Sequence, residues 1–192
     1  MLHKLLLPLA AAALAALSST PAKAVIVNID ATVSGCDISH CNGLHLPPGS
    51  VLGAVINPVQ LALGPGTYTI TDGSGQLGAN PSFTAWRYDG GPDWVWSFMV
   101  VDDATKSVLV QGCCGLGFNT QAGAATQPFA QNYSTTLTLA SAKTVDFIIE
   151  DYYLPDNAGG ITLQVTSVPE PSSWLLIGCG LLGLAGWRKL RA

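Results

Sequence analysis

The sequence predicts an all-β protein, an antiparallel β-sandwich of jelly-roll type, flanked by an N-terminal signal helix and a C-terminal membrane helix. Three observations carry that prediction. Apolar segments between residues 25 and 167 are short and tend to alternate with period two. Gly, Pro, Asn and Asp punctuate them at near-even intervals, and no soluble stretch keeps the period of an amphipathic helix. A doubly wound α/β fold needs helices between its strands, and the sequence does not supply them.

The chain opens with a targeting segment. Lys4 gives a positive start, Leu5 to Leu17 an apolar run interrupted only by Pro8, and Ala22-Lys23-Ala24 the small-x-small pattern read by signal peptidase. Residues 1–24 are therefore a signal peptide, cleaved between Ala24 and Val25, and residues 25–167 are the domain. Its first strand runs from Val25 to Val33, with Val27, Ile29, Ala31 and Val33 on one face. Val59 to Leu63 and Thr67 to Thr71 flank Gly64-Pro65-Gly66, two strands around a tight turn. Further strands are expected at Ser82 to Tyr88, Trp94 to Val101, Ser107 to Gln111, Ser134 to Leu139, Thr144 to Glu150 and Ile161 to Thr166. Asp72-Gly73, Asp89-Gly90-Gly91-Pro92 and Asp156-Asn157-Ala158-Gly159-Gly160 supply the turns between them.

Charge narrows the partners. The whole chain carries −4, but most of its cations lie in the two terminal segments. The domain itself holds eleven carboxylates against Arg87, Lys106 and Lys143. Nucleic acid is excluded as a partner, because its affinity comes from Lys and Arg neutralising phosphates. An acidic, export-directed domain suits an extracellular surface, or the charge serves solubility alone.

Four cysteines fall in the domain: Cys36, Cys41, Cys113 and Cys114. Export exposes them to oxidation, so disulfides are expected. Four cysteines allow three pairings, a local one with its vicinal counterpart and two crossed ones. The crossed pattern is favoured, because the vicinal bridge is strained. Closing a loop of roughly 70 residues contributes about 4 kcal/mol in the chain-entropy view. Zinc held by Cys36, His40, Cys41 and Cys113 is the alternative, although the spacing fits no standard zinc motif.

Two clusters are candidates for binding. Phe83, Trp86, Tyr88, Trp94, Trp96 and Phe98 flank the Asp89 to Asp93 turn, and Trp94, Trp96 and Phe98 share one strand face. Exposed, that face would stack on sugar rings; buried, it is core. Glu150, Asp151, Asp156 and Asn157 gather on one loop, the kind of hard-oxygen cluster that calcium takes, or else an acidic turn. Asp146 to Gly160 and the strand after it resemble the closing hairpin of calcium-dependent galactose-binding lectins of the bacterial soluble type. That resemblance implies calcium on Asp151, Asp156 and Asn157. No catalytic residues are assigned: His40 and His45 have no Gly-x-Ser-x-Gly serine or base and orienting partner beside them, and the chain is read as a non-enzyme.

Residues 168–192 complete the order. Pro169 and Pro171 keep Val168-Pro169-Glu170-Pro171 extended and open to a protease. An apolar run from Trp174 to Trp187 follows, then Arg188, Lys189 and Arg191. Fourteen residues of helix reach about 21 Å, short of a hydrocarbon core of roughly 30 Å, so the run is a weak, temporary anchor. The basic end favours the cytoplasmic side. This order closely resembles the PEP-CTERM sorting signal of Gram-negative bacteria. The resemblance implies processing by exosortase, a membrane transpeptidase, and passage from an inner-membrane precursor to the cell surface or medium. The resulting reading is a structural or adhesive surface protein associated with exopolysaccharide; its rival is a calcium-dependent carbohydrate-binding module.

Overall fold

Alternating apolar side chains commit a strand to one buried face, and the longest strand organises the rest of the chain around itself. In the computed structural model, residues 22–37, 46–87, 93–112 and 117–169 are described. Twelve strands lie within them: β1 (Ala24–Asp30), β2 (Gly35–Cys36), β3 (Val55–Ile56), β4 (Val59–Leu63), β5 (Gly66–Asp72), β6 (Thr84–Arg87), β7 (Trp94–Val95), β8 (Phe98–Asp102), β9 (Val108–Gly112), β10 (Ser134–Leu139), β11 (Lys143–Ile148) and β12 (Ala158–Val168). Every pairing between them is antiparallel. Lys23–Val168 form one compact unit.

The larger sheet is built on β12. One edge of β12 pairs with β1 along its length, from Ala24↔Thr166 to Asp30↔Gly160. Its other edge is shared end to end: β6 takes Ala158 to Ile161, and β5 takes Leu163 to Val168. At the changeover, the Gly73 N–H donates to Thr162 O at 2.9 Å and the Thr162 N–H donates to Phe83 O at 2.9 Å. A Cβ on Gly73 would come within 2.6 Å of the Leu163 carbonyl carbon, so only glycine fits this handover. β10 closes the sheet beyond β5, and β7 beyond β6.

The second sheet runs β4-β11-β8-β9. Val27, Ile29, Ile70, Leu137, Ile161, Leu163 and Val165 of the first sheet share one core with Phe98, Val100, Val145 and Phe147 of the second. That shared core makes the fold the expected sandwich. The far face of the second sheet is covered as well. Met99, Val101, Val108 and Ile148 pack with Cys36 and Leu52, and Leu46, Val55 and Tyr152 lean against them. All five residues of β8 are therefore buried, and the first four, Phe98 to Val101, read as a continuous apolar run instead of an alternating one.

Three expectations are corrected. Gly64-Pro65-Gly66 does not make a hairpin: β4 pairs with β11, whereas β5 pairs with β10 and β12. Leu63 lies opposite Lys143 and Gly66 opposite Leu139, so this corner and the β10–β11 corner cross between the sheets side by side. The loop before β12 likewise crosses between sheets, since β11 and β12 belong to different ones. The third difference is two short helices, α1 (Gln121–Ala125) and α2 (Pro128–Gln131), where no helix was expected. Thr120 caps α1, its hydroxyl accepting from the Gly123 N–H at 3.0 Å. Among the described residues no helix is long and apolar enough to cross a membrane.

Candidate functional site

The domain residues that border the two processing segments lie at one end of the larger sheet. Ala24 and Val25, the expected cleavage pair, are the first residues of β1, opposite Thr166 and Val165. Just before them, the Lys23 N–H donates to Ser167 Oγ at 3.0 Å, and the Ser167 N–H returns a bond to Lys23 O at 3.2 Å. Val168, the last residue of β12, lies opposite Thr67 and is exposed. Pro169 follows with no N–H to continue the ladder, so it ends strand pairing wherever β12 would otherwise extend. Glu170, Pro171, Arg188, Lys189 and Arg191 lie outside the described residues, as do residues 1–21 and the apolar run from Trp174 to Trp187.

The acidic loop is organised by its own backbone. Asp151 Oδ1 accepts from the N–H groups of Tyr152 at 2.6 Å and Tyr153 at 3.2 Å, an Asx-type turn. The Asp151 carbonyl accepts from the Cys36 N–H at 3.0 Å, tying the loop to β2. Asn157 is buried and donates from Nδ2 to Ala31 O at 3.1 Å, which fixes the loop against the end of β1. Oδ1 of Asn157 and Oδ1 of Asp156 are buried without a hydrogen-bond partner. Among the described residues no three His, Cys, Asp or Glu side chains converge as a metal-binding group.

Cys36 is fully buried and disulfide-bonded. It is the single described cysteine, so no bridge lies wholly within the described residues; Cys41, Cys113 and Cys114 fall outside them. His40 and His45 do too.

The aromatic cluster divides. Trp86, Trp96 and Phe98 are core, with the Trp86 Nε1–H donating to Ser97 O at 3.0 Å. Trp96 and Phe98 meet edge to face at 5.4 Å, and Tyr133 packs against both. Such aromatic contacts stabilise a core beyond the area they bury. Trp94 is half-buried, with the Arg87 guanidinium 5.7 Å from its ring centroid. Stacking on sugar is closed to Trp86, Trp96 and Phe98.

One charged cluster escaped the sequence reading. Asp146, wholly buried in β11, accepts from Gln60 Nε2 at 3.0 Å and from Lys106 Nζ at 3.1 Å. Lys106 also reaches Asp103 at 2.8 Å. Its hydrogen bond to Asp103, reinforced by Asp146, raises the ammonium's pKa against the opposing effect of burial. Asp102 is buried at the end of β8, where Lys143 Nζ donates to its Oδ2 and the Ala104 and Thr105 N–H groups donate to Oδ1 at 3.0 and 3.2 Å. Lys143 holds the Asp102 carboxyl below the usual carboxylate range, against burial and with help from those two N–H groups. Two of the domain's three cations are thus committed to its own carboxylates. The signal for this cluster was an Asp set among Val145, Phe147 and Ile148 on a buried strand.

Against known families, residues 167–191 match the PEP-CTERM protein-sorting motif. That span holds Val168, Pro169, Glu170, Pro171, Arg188, Lys189 and Arg191. No curated protein matches the chain. A solved structure, that of a Burkholderia pseudomallei antigen and type I fimbria protein, is similar at 13% identity and a TM-score of 0.25, covering 77% of this chain and 99% of that one.

Proposed function

We propose that this PEP-CTERM protein, exported and processed by exosortase after a membrane-anchored stage, is a structural or adhesive component of the outer cell surface and its exopolysaccharide. The sorting motif at residues 167–191 is the observation that carries the reading. The domain's excess of carboxylates over cations suits solubility outside the cell, and its disulfide-bonded Cys36 suits an oxidising compartment. No catalytic step is assigned to it.

Sorting is tested in cells. With Pro169 and Pro171 both changed to Ala, the handle loses its fixed extended backbone, and the precursor is expected to accumulate in the inner-membrane fraction. In the unchanged protein, N-terminal sequencing of the exported form is expected to start at Val25. Normal C-terminal processing of the double variant would count against the handle as the recognition element.

A second reading adds calcium at the acidic loop. The partnerless Oδ1 atoms of Asp156 and Asn157 favour it, since each is a hard oxygen free to ligate. Under that reading calcium rigidifies the crossing from β11 to β12. The sugar contacts of a lectin would have to come from residues other than Trp86, Trp96 and Phe98.

A further inference from the structure

The outward face of the larger sheet carries an ordered patch of hydroxyl groups. β5 reads Thr67-Tyr68-Thr69-Ile70-Thr71 and β10 begins Ser134-Thr135-Thr136-Leu137-Thr138. Ile70 and Leu137 are buried, so period two turns Thr67, Thr69 and Thr71 and also Ser134, Thr136 and Thr138 away from the core. The register then aligns them in ranks. Ser134 faces Thr71, which faces Gln164; Thr136 faces Thr69, which faces Thr166; and Thr138 faces Thr67. Thr67 and Thr138 share a hydroxyl contact at 3.3 Å. The β10 members are exposed and those of β5 and β12 half-exposed.

Three properties select an occupant. No charge stands among these eight side chains, although the domain as a whole is strongly acidic. A polyanion would be repelled by the domain and would find no cation here to compensate. The patch also has no aromatic and no Arg, the residues that anchor protein partners, so a second copy or another protein has nothing to grip. Finally, its polar groups repeat at about 4.8 Å between strands and about 6.8 Å along them, on an open sheet face that cannot enclose a small molecule. A regular lattice of weak donors and acceptors suits a ligand that repeats its own hydroxyls, with affinity gained through many simultaneous contacts.

We propose that the Ser134–Thr71–Gln164 and Thr136–Thr69–Thr166 ranks form a docking surface for an extended, neutral polysaccharide. The proposal rests on the matrix reading above and names the face that would make the contact. It needs neither calcium nor the acidic loop.

The test uses the exported, processed protein, sedimented with insoluble cellulose or insoluble α-glucan as neutral probes and with calcium-alginate beads as the anionic one. The wild type is expected to sediment with at least one neutral probe, in chelator as well as in calcium for the glucans, and not with alginate. Thr69→Val with Thr136→Val keeps shape and strand preference while removing two hydroxyls. It is expected to bind about thirty-fold more weakly, from two hydrogen bonds near 1 kcal/mol each. Thr144→Val on β11, away from this face, is expected to bind as the wild type does. No sedimentation with either neutral probe, or undiminished binding by the double Val variant, would overturn the proposal. C-terminal processing, followed in the same cells, reports separately on the sorting reading.

Discussion

Replacing Lys143 by Met removes the ammonium from Asp102 while keeping an apolar stem of similar length. The Asp102 side chain is 4% exposed, and after the change its carboxylate keeps only the Ala104 and Thr105 N–H groups. A hydrogen bond to a charged group contributes about 1.5–3 kcal/mol. Lys143 is itself 35% exposed, so water screens the pair, and a loss of about 2 kcal/mol is expected. At about 2–4 °C per kcal/mol for a domain near this size, the melting temperature at pH 7 should fall by about 4–8 °C.

The pH dependence separates this bond from simple packing. Because the folded-state pKa of Asp102 is lowered, the contribution of Lys143 is complete above the unfolded carboxyl value of about 3.9 and is lost as pH falls through the folded one. The gap between wild type and Lys143→Met should thus shrink below about pH 4, when both are followed by circular dichroism. Asp102→Asn on the Met background should cost less than Asp102→Asn alone, the coupling expected of a contacting pair. A gap that stays constant from pH 7 to strongly acidic conditions, or no gap at pH 7, would refute the assignment.

Two further outcomes follow from the same structure. In native exported protein, Cys36 should resist thiol-reactive labels until reduction, and reduction should cost about 2–5 kcal/mol; labelling of all four domain cysteines without reductant would exclude any bridge. If Asp151, Asp156 and Asn157 hold calcium, a hundredfold excess over Kd should stabilise the fold by about 2.7 kcal/mol, and Asp156→Ala should erase the difference made by chelator. Identical melting with calcium and with chelator would leave the loop as an acidic turn.

What was legible in the sequence was whatever is local. Val27 and Ile29 alternate with polar neighbours and prove buried, and β4 and β10 have the expected bounds, because period two is written into consecutive residues. The sorting motif was legible for the same reason, being one uninterrupted run. Partnership between distant residues was not. Gly64-Pro65-Gly66 specifies a reversal, but which sheet receives β5 depends on strands some 70 residues later. The bonds of Asp102 to Lys143 and of Asp146 to Lys106 each span about 40 residues, and no spacing rule reaches so far. α1 and α2 were missed because five and four residues are too few to establish a helical period.

The placement of the sorting motif has a mechanical consequence. Many surface proteins could release a terminal tail by fraying an edge strand, but β12 is held on both edges, by β1 and by β5 and β6. Peeling it would break those ladders together and expose Ile161, Leu163 and Val165, so the strand opens only at a free energy close to that of global unfolding. Pairing with β5 runs through Val168, and Pro169 begins the handle without an N–H. The folded domain and the processed segment are therefore separated at a single peptide bond. With residues 1–24 removed, a protease pulling on Pro169-Glu170-Pro171 would meet the β5 ladder alone at Val168 to Thr166, and both ladders from Val165, opposite Val25, inward. Cleavage within the handle can then proceed while the domain stays folded, and the strand that organises the larger sheet is kept whole in the exported product.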